Sequence, residues 1–318
     1  MDSEFRVGRT SVVKVHELDL NDFTAAQLLP DFDPDVLTEH PDWADPKTYN
    51  AETGRVFLSV HTWVVRHEDK VILIDTGAGK GKSRPTMPVL DHLHQPYLER
   101  LAAVGVRTED VDYVLLTHIH ADHVGWNTRW DGQHWVPTFP NATVICSGLE
   151  WRYGAALDAG DEEAVAAARA EAGLGQPLRT PVPGVFSDSI APIAAAGRLK
   201  LVKADGDEVL EGICFLPTPG HSIDHAAISI VSQGRQAVFG GDTVHHPFEL
   251  YDMDLVSMFC EFPEAARVSR RRLTQHVSET GALYFSSHFP ATSAGKITRV
   301  GGGLGWDFLE TEVRRTRT

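Results

Sequence analysis

The sequence predicts a mixed α/β fold dominated by strands, on three observations. Short apolar, β-rich runs recur from Val56 onward, helical segments are interspersed among them, and residues able to ligate metals gather just after several of the runs. The runs VFLSVHTWVV and KVILIDTG, separated by the polar turn RHEDK, predict a hairpin. A helix is expected over about 88–104, then a buried strand at VDYVLLTH, and later strands at ATVICS, RLKLVK, GICFLP, AAISIVS and QAVFGGD. The Ala-rich stretch from about 160 to 174 ends in Gly and reads as a helix with a weak packing face. A further helix is expected from Pro263 to Thr280, with Arg267, Arg270, Arg271 and Arg272 on a solvated face, since the chain is acidic and the cluster short.

Residues 20–55 mix Asp, Pro and Thr with scattered apolar residues and show no period. Residues 1–55 are therefore expected to form an N-terminal extension and loop packed on a main domain of residues 56–318. With 318 residues, 42% of them hydrophobic, the chain can bury one sizeable core. A formal charge of -15 argues against nucleic acid and anionic membranes as partners. No leader-like apolar run and no membrane-length segment is visible, and Cys146, Cys214 and Cys260 read as reduced thiols, so a cytoplasmic location is expected.

The chemistry gathers at Thr117-His118-Ile119-His120-Ala121-Asp122-His123, directly after the run Val111 to Leu116. In extended backbone, residues two apart point the same way, so His118 and His120 can meet one ion. Asp122 and His123 follow at the next turn, where Ala-Asp-His-Val-Gly is expected to open a helix and aim a second pair of ligands. Two adjacent sites rich in imidazole and carboxylate suit zinc. Three later positions repeat the pattern: His221 after ICFLPT, Asp242 after AVF and His288 after ALYF. His92 and His94 form a second H-x-H but fall in the expected helix, where they would face apart.

An H-x-H-x-D-H motif followed by His, Asp and His in that order resembles the metallo-β-lactamase superfamily, and Ile74 to Gly77 (IDTG) resembles its early strand-turn element. The resemblance spans roughly residues 55–290. It implies an αββα sandwich, two mixed β-sheets flanked by helices, with two divalent metal ions at one edge. Zinc is preferred; manganese, cobalt or iron(II) are alternatives. One ion would take His118, His120 and His221, the other Asp122, His123 and His288, with Asp242 bridging. The implied reaction is hydrolysis by a metal-bridging hydroxide, with Asp242 or Asp122 managing the proton.

Among branches, His120 stands where the flavodiiron oxidoreductases carry Glu, and Asp242 where the commonest zinc β-lactamases carry Cys. The basic surface of the nucleases and the basic thiol-ligand site of glyoxalase II-like thioesterases are not recognisable. The chain most resembles the quorum-quenching lactonases and the methyl parathion hydrolase-like branch, the latter through Gly241 to Pro247 (GDTVHHP) and His288 to Pro290 (HFP). Where the lactonases place a substrate-holding Tyr, this chain has His245, expected to donate the same hydrogen bond. Asp224 departs from a common Gly, and His225 is read either as a partner of the ligands or as structural.

A lactonase or carboxylesterase acting on a small neutral or apolar substrate is the first reading. A phosphotriesterase is the second and a thioesterase a further alternative, while a non-catalytic scaffold would require a broken ligand set. Trp126, Phe248 and Phe289, neighbours of the ligands in sequence, are candidates for the pocket wall or for the core. The N-terminal loop, with Leu28, Leu29, Phe32 and Trp43, is expected to add to that wall or to a homodimer contact.

Overall fold

A strand covered on both faces carries a continuous apolar run instead of an alternating one. Lys70–Ile74 and Ala226–Ser232 have this character, and in the computed structural model, which describes residues 4–301 and 303–310, both lie inside seven-stranded sheets. The first sheet runs in chain order: β1 (Glu4–Val7), β2 (Thr10–Leu20), β3 (Leu58–His67), β4 (Lys70–Ile74), β5 (Tyr113–Leu115), β6 (Thr143–Ser147) and β7 (Leu199–Val202). Pairing is antiparallel from β1 to β4 and parallel from β4 to β7. The second sheet is also sequential: β8 (Glu208–Leu210), β9 (Ile213–Pro217), β10 (Ala226–Ser232), β11 (Arg235–Phe239), β12 (Leu283–Phe285), β13 (Ala294–Val300) and β14 (Gly303–Phe308). Only β11 and β12 pair in parallel there.

Successive strand residues face opposite sides. Ile72 and Ile74 accordingly join Phe215, Ile228 and Phe239 between the sheets, whereas Leu73 packs outward with Tyr97 and Leu101 of α1 (Tyr97–Ala103). Ala227 and Tyr284 face away from the inter-sheet core, toward Leu273 and Val277 of α4 (Pro263–Thr280). These layers make the expected αββα sandwich. Between β6 and β7 lie α2 (Gly148–Ala159), capped by the Ser147 hydroxyl, and α3 (Glu162–Ala172), capped by Asp161. Pro263 in the first turn and left-handed Gly281 just past the end bound α4 as expected.

Four expectations are corrected. Residues 4–20 are not part of a covering extension but supply two strands of the first sheet. The helix expected over 88–104 is a 3-10 turn at Pro88–Leu90 followed by α1 only from Tyr97, because Pro96 interrupts the helical pattern; His92 adopts a left-handed turn conformation there. No α-helix opens at Asp122; turns lead to a 3-10 turn at Gly125–Asn127. A Cβ at Gly125 would stand 2.0 Å from the Ala78 carbonyl, so two loops meet there backbone to backbone. Finally, Arg271 and Arg272 are solvated, but Arg270 is buried. Among the described residues, no helix is long and apolar enough to cross a membrane.

Candidate metal centre

The loops that leave β5, β9, β11 and β12 meet at one edge of the sandwich. They carry His118, His120, Asp122 and His123, then His221, then Asp242 in the turn Gly241–Thr243, and lastly His288. Gly241 is required by its turn: φ is +52°, and a Cβ would lie 2.3 Å from His225 Nε2. Donor atoms of His118, His120 and His221 lie within 4.8 Å of one another, as do those of His118, His123 and Asp242 and those of Asp122, His123 and His288. The structure thus brings together all seven residues expected to ligate metal. His118 and His120 do so from a loop rather than a strand, which ends at Leu115.

Outer partners decide which imidazole nitrogen faces inward. Thr117 gives its hydroxyl proton to Asp75 Oδ2 (2.8 Å), so its oxygen accepts from His118 Nδ1 (3.0 Å). Asp75 Oδ2 also accepts from His123 Nδ1 (2.9 Å), Glu261 Oε1 from His120 Nε2 (2.9 Å) and the Ser59 carbonyl from His288 Nδ1 (3.1 Å). His221 Nδ1 meets only the Cys260 sulfur, at 3.7 Å. Five inner nitrogens then converge: His120 Nδ1 and His221 Nε2 stand 2.8 Å apart, and His288 Nε2 stands 3.1 Å from Asp242 Oδ2. Among the described residues, the buried His118 Nε2, His123 Nε2 and Asp242 Oδ1 have no hydrogen-bond partner. Lone pairs gathered at such distances repel unless cations lie among them, so the donor set fits divalent metal ions.

His225 accepts the Asp242 backbone N–H at Nε2 (2.9 Å) and turns Nδ1 to Thr218 (2.8 Å). It therefore seats the turn that presents Asp242. Burial opposes ionisation of Asp242, yet the imidazoles of His123, His288 and His221 hold its carboxyl well below the usual range. His245 Nε2 is 3.4 Å from Asp242 Oδ2, and its Nδ1 is 3.5 Å from Glu249 Oε2. Burial disfavours a charged His245, but these two carboxylates push it up to about 9. Glu249, wholly buried, is pulled down to about 2 against its own burial, chiefly by Arg270, whose Nη1 lies 2.6 Å away.

An open cleft ends on the cluster at His120, Asp122, His221, Asp242, His245 and His288. Leu20, Phe23, Leu58, Met87, Val89, Leu90 and Phe259 make its walls apolar. Three aromatic candidates are not among them. Trp126 stacks on Tyr97 and donates to Glu17, Phe248 stacks on Phe32, and Phe289 packs edge-on against Trp306, all buried in the core. Each follows a ligand loop, but its side chain turns to the core. Leu28, Leu29 and Phe32 are likewise core residues, and Trp43 packs half-buried against the same cluster; the N-terminal segment contributes Leu20 and Phe23 to the cleft instead. His92 and His94 are exposed and do not line it.

Asp75, Glu249, Glu261 and Arg179 were not singled out from sequence. Asp75 lies within the IDTG element, and Glu249 and Glu261 interrupt otherwise apolar stretches, a signal for buried, partnered acids.

A family model described as the metallo-beta-lactamase superfamily matches residues 55–288. A protein of Mycobacterium tuberculosis described as a probable metallo-hydrolase is 26% identical over 200 residues, covering 60% of this chain and 58% of that relative. The chain thus spans less than two thirds of that relative's length. The N-acyl homoserine lactonase of Bacillus thuringiensis is 25% identical over 247 residues, covering 73% of this chain and 81% of that enzyme. The crystal structure of the hydrolase AbOPH superposes with a TM-score of 0.76 at 25% identity over 98% of both chains. Since the family match takes in every loop that feeds the cluster, from β5 to His288, and the layers agree with it, the chain belongs to the metallo-beta-lactamase superfamily.

Proposed function

We propose that this chain is a dinuclear metal-dependent hydrolase that opens a lactone or cleaves a carboxylic ester. The observation that carries the reading is an apolar cleft closed at its inner end by converging imidazoles and carboxylates. The 25% identity to an N-acyl homoserine lactonase over most of the chain supports it. His118, His120 and His221 would hold one ion and Asp122, His123 and His288 the other, with Asp242 between them. Bound there, two divalent ions, zinc by donor preference, supply Lewis-acid polarisation and an acidified water.

The chain's own groups do the rest. Leu20, Phe23, Met87 and Phe259 bury the acyl part and exclude water from it. His245, whose backbone N–H is held by Glu249 and whose Nδ1 lies 3.5 Å from that carboxylate, presents Nε2 beside Asp242 and donates to the substrate oxygen. Asp122, less buried than Asp242, accepts and passes on the proton.

Chelation to metal-free protein should abolish turnover of aryl esters and of γ- and δ-lactones, and re-loading with zinc, manganese or cobalt should restore it. Full activity in metal-free protein, or turnover confined to a neutral phosphotriester or a thioester in the same panel, would overturn the proposal. Asp75→Asn should weaken metal retention by about 10- to 100-fold, because the amide cannot serve both Thr117 and His123 as the carboxylate does. Competition against a chromogenic chelator reads this directly, and unchanged affinity would remove Asp75 from the account.

A further inference from the structure

We propose that Arg179 forms an anion subsite at the rim of the cleft, selecting ester or lactone substrates that carry a free carboxylate away from the bond to be cleaved. The inference rests on the hydrolase reading above and narrows its substrate class. Arg179 is the one arginine or lysine among the residues lining the cleft. It belongs to the segment between α3 and the short helix Val185–Ser189, pinned by the Leu178 N–H to the Glu261 carbonyl at 2.7 Å. Leu178 and Thr180 on either side are exposed and Arg179 is half-buried, so this segment forms the rim of the cleft.

Its lack of a partner sets it apart from the buried arginines. Arg84 turns its terminal nitrogens to Asp188 and Arg270 turns one to Glu249. Among the described residues no carboxylate pairs with Arg179; its buried Nε makes no hydrogen bond, as is also true of Arg84 and Arg270, so the missing carboxylate is what differs. Burial there weakens the guanidinium's hold on its proton, and Cys260 and Glu261 offset this only at a distance. A half-buried cation costs desolvation free energy that a partner normally offsets. The Phe259 ring, 5.6 Å from Cζ, does so in part. With no carboxylate on it among the described residues, the guanidinium keeps N–H donors for a planar two-oxygen acceptor.

The location assigns the acceptor to the substrate's periphery. Among the described residues Arg179 makes no ion pair with Asp122, Asp242 or Glu261, and the Phe259 ring beside it lies 6.3 Å from that of His245. The carboxylate held there is therefore a second one, not the group formed by hydrolysis. A single negative charge suits the site better than a phosphate, because one guanidinium faces a cleft that already holds Asp122, Asp242 and Glu261 in a chain of net charge -15.

Two matched pairs test this on metal-loaded protein: 4-nitrophenyl hexanoate against the mono-4-nitrophenyl ester of adipic acid, and phenyl acetate against 3-acetoxybenzoate. The wild type should prefer the carboxylated member of at least one pair. In Arg179→Gln the ratio of kcat/KM values within that pair should collapse by about 10- to 100-fold, through KM, with Arg179→Lys retaining part of it. Because the ratio is read within one protein, a general loss of activity does not mimic the result. Absence of preference in both pairs, or a ratio unchanged in Arg179→Gln, overturns the subsite while leaving the hydrolase reading intact. Failure of the metal-loaded wild type to turn over the four esters and the γ- and δ-lactones alike overturns the hydrolase reading itself.

Discussion

Asp242→Ala should lose more than 100-fold in kcat/KM and should no longer retain two metal ions per chain. The carboxylate is the common neighbour of the whole cluster. Oδ2 lies 3.1 Å from His288 Nε2, 3.2 Å from His221 Nε2 and 3.4 Å from His245 Nε2, while Oδ1 lies 3.2 Å from His123 Nε2. Loss of an outer partner of a metal ligand already costs about 10- to 100-fold, and Asp242 would be shared by both ions, so its removal should exceed that range. The fold should survive, because the backbone N–H of residue 242 still reaches His225. Elemental analysis of the purified variant beside its ester and lactone kinetics checks both halves. Two retained ions with activity within tenfold of wild type would refute the bridging role.

Glu249→Leu is expected to cost about 3–5 kcal/mol of stability, because it strands the Arg270 guanidinium in the interior. Glu249 accepts from Arg270 at 2.6 Å and from the backbone N–H groups of His245 (2.6 Å), His246 (3.3 Å) and Ser257 (3.3 Å). Arg270 would keep only the Met253 and Leu255 carbonyls. Equilibrium urea unfolding measures the loss, and Glu249→Leu with Arg270→Leu should recover part of it by removing the unpaired charge. No recovery in the double variant would show that the ion pair is not the cause. The sign with pH follows from a carboxyl lowered from 4.5 to about 2 on folding. Its contribution is full above 4.5 and disappears as pH falls from there toward 2.

The central strands and α4 were legible because burial on two faces, or a Pro start and a Gly stop, leaves a local trace. β2 was not, since Lys14, His16 and Glu17 make TSVVKVHELDL look partly solvated. Glu17 is in fact buried, accepting from the N–H groups of Ala78 and Gly79 and from Trp126. β13 and β14 hold too few contiguous apolar residues to announce a sheet edge. The metal-ligand candidates were legible because ligand chemistry admits few residue types and strand ends collect them. Their orienting partners were not: Ser59 serves His288 through a backbone carbonyl, a group every residue has. The choice between cleft wall and core was not legible, for a geometric reason. A residue beside a ligand points away from it, so Phe289 turns to the core while His288 turns to the centre, and the walls come from loops that converge only in space.

The two-sheet origin of the centre also bears on what holds the two halves together. His118, His120, Asp122 and His123 hang from the first sheet, and His221, Asp242 and His288 from the second, each sheet being assembled almost entirely from neighbours in the chain. The seat that would hold the ions is complete only when the two halves are docked and His288 is in place, so cations bound there would favour the docked state and act as a latch on the seam between the halves.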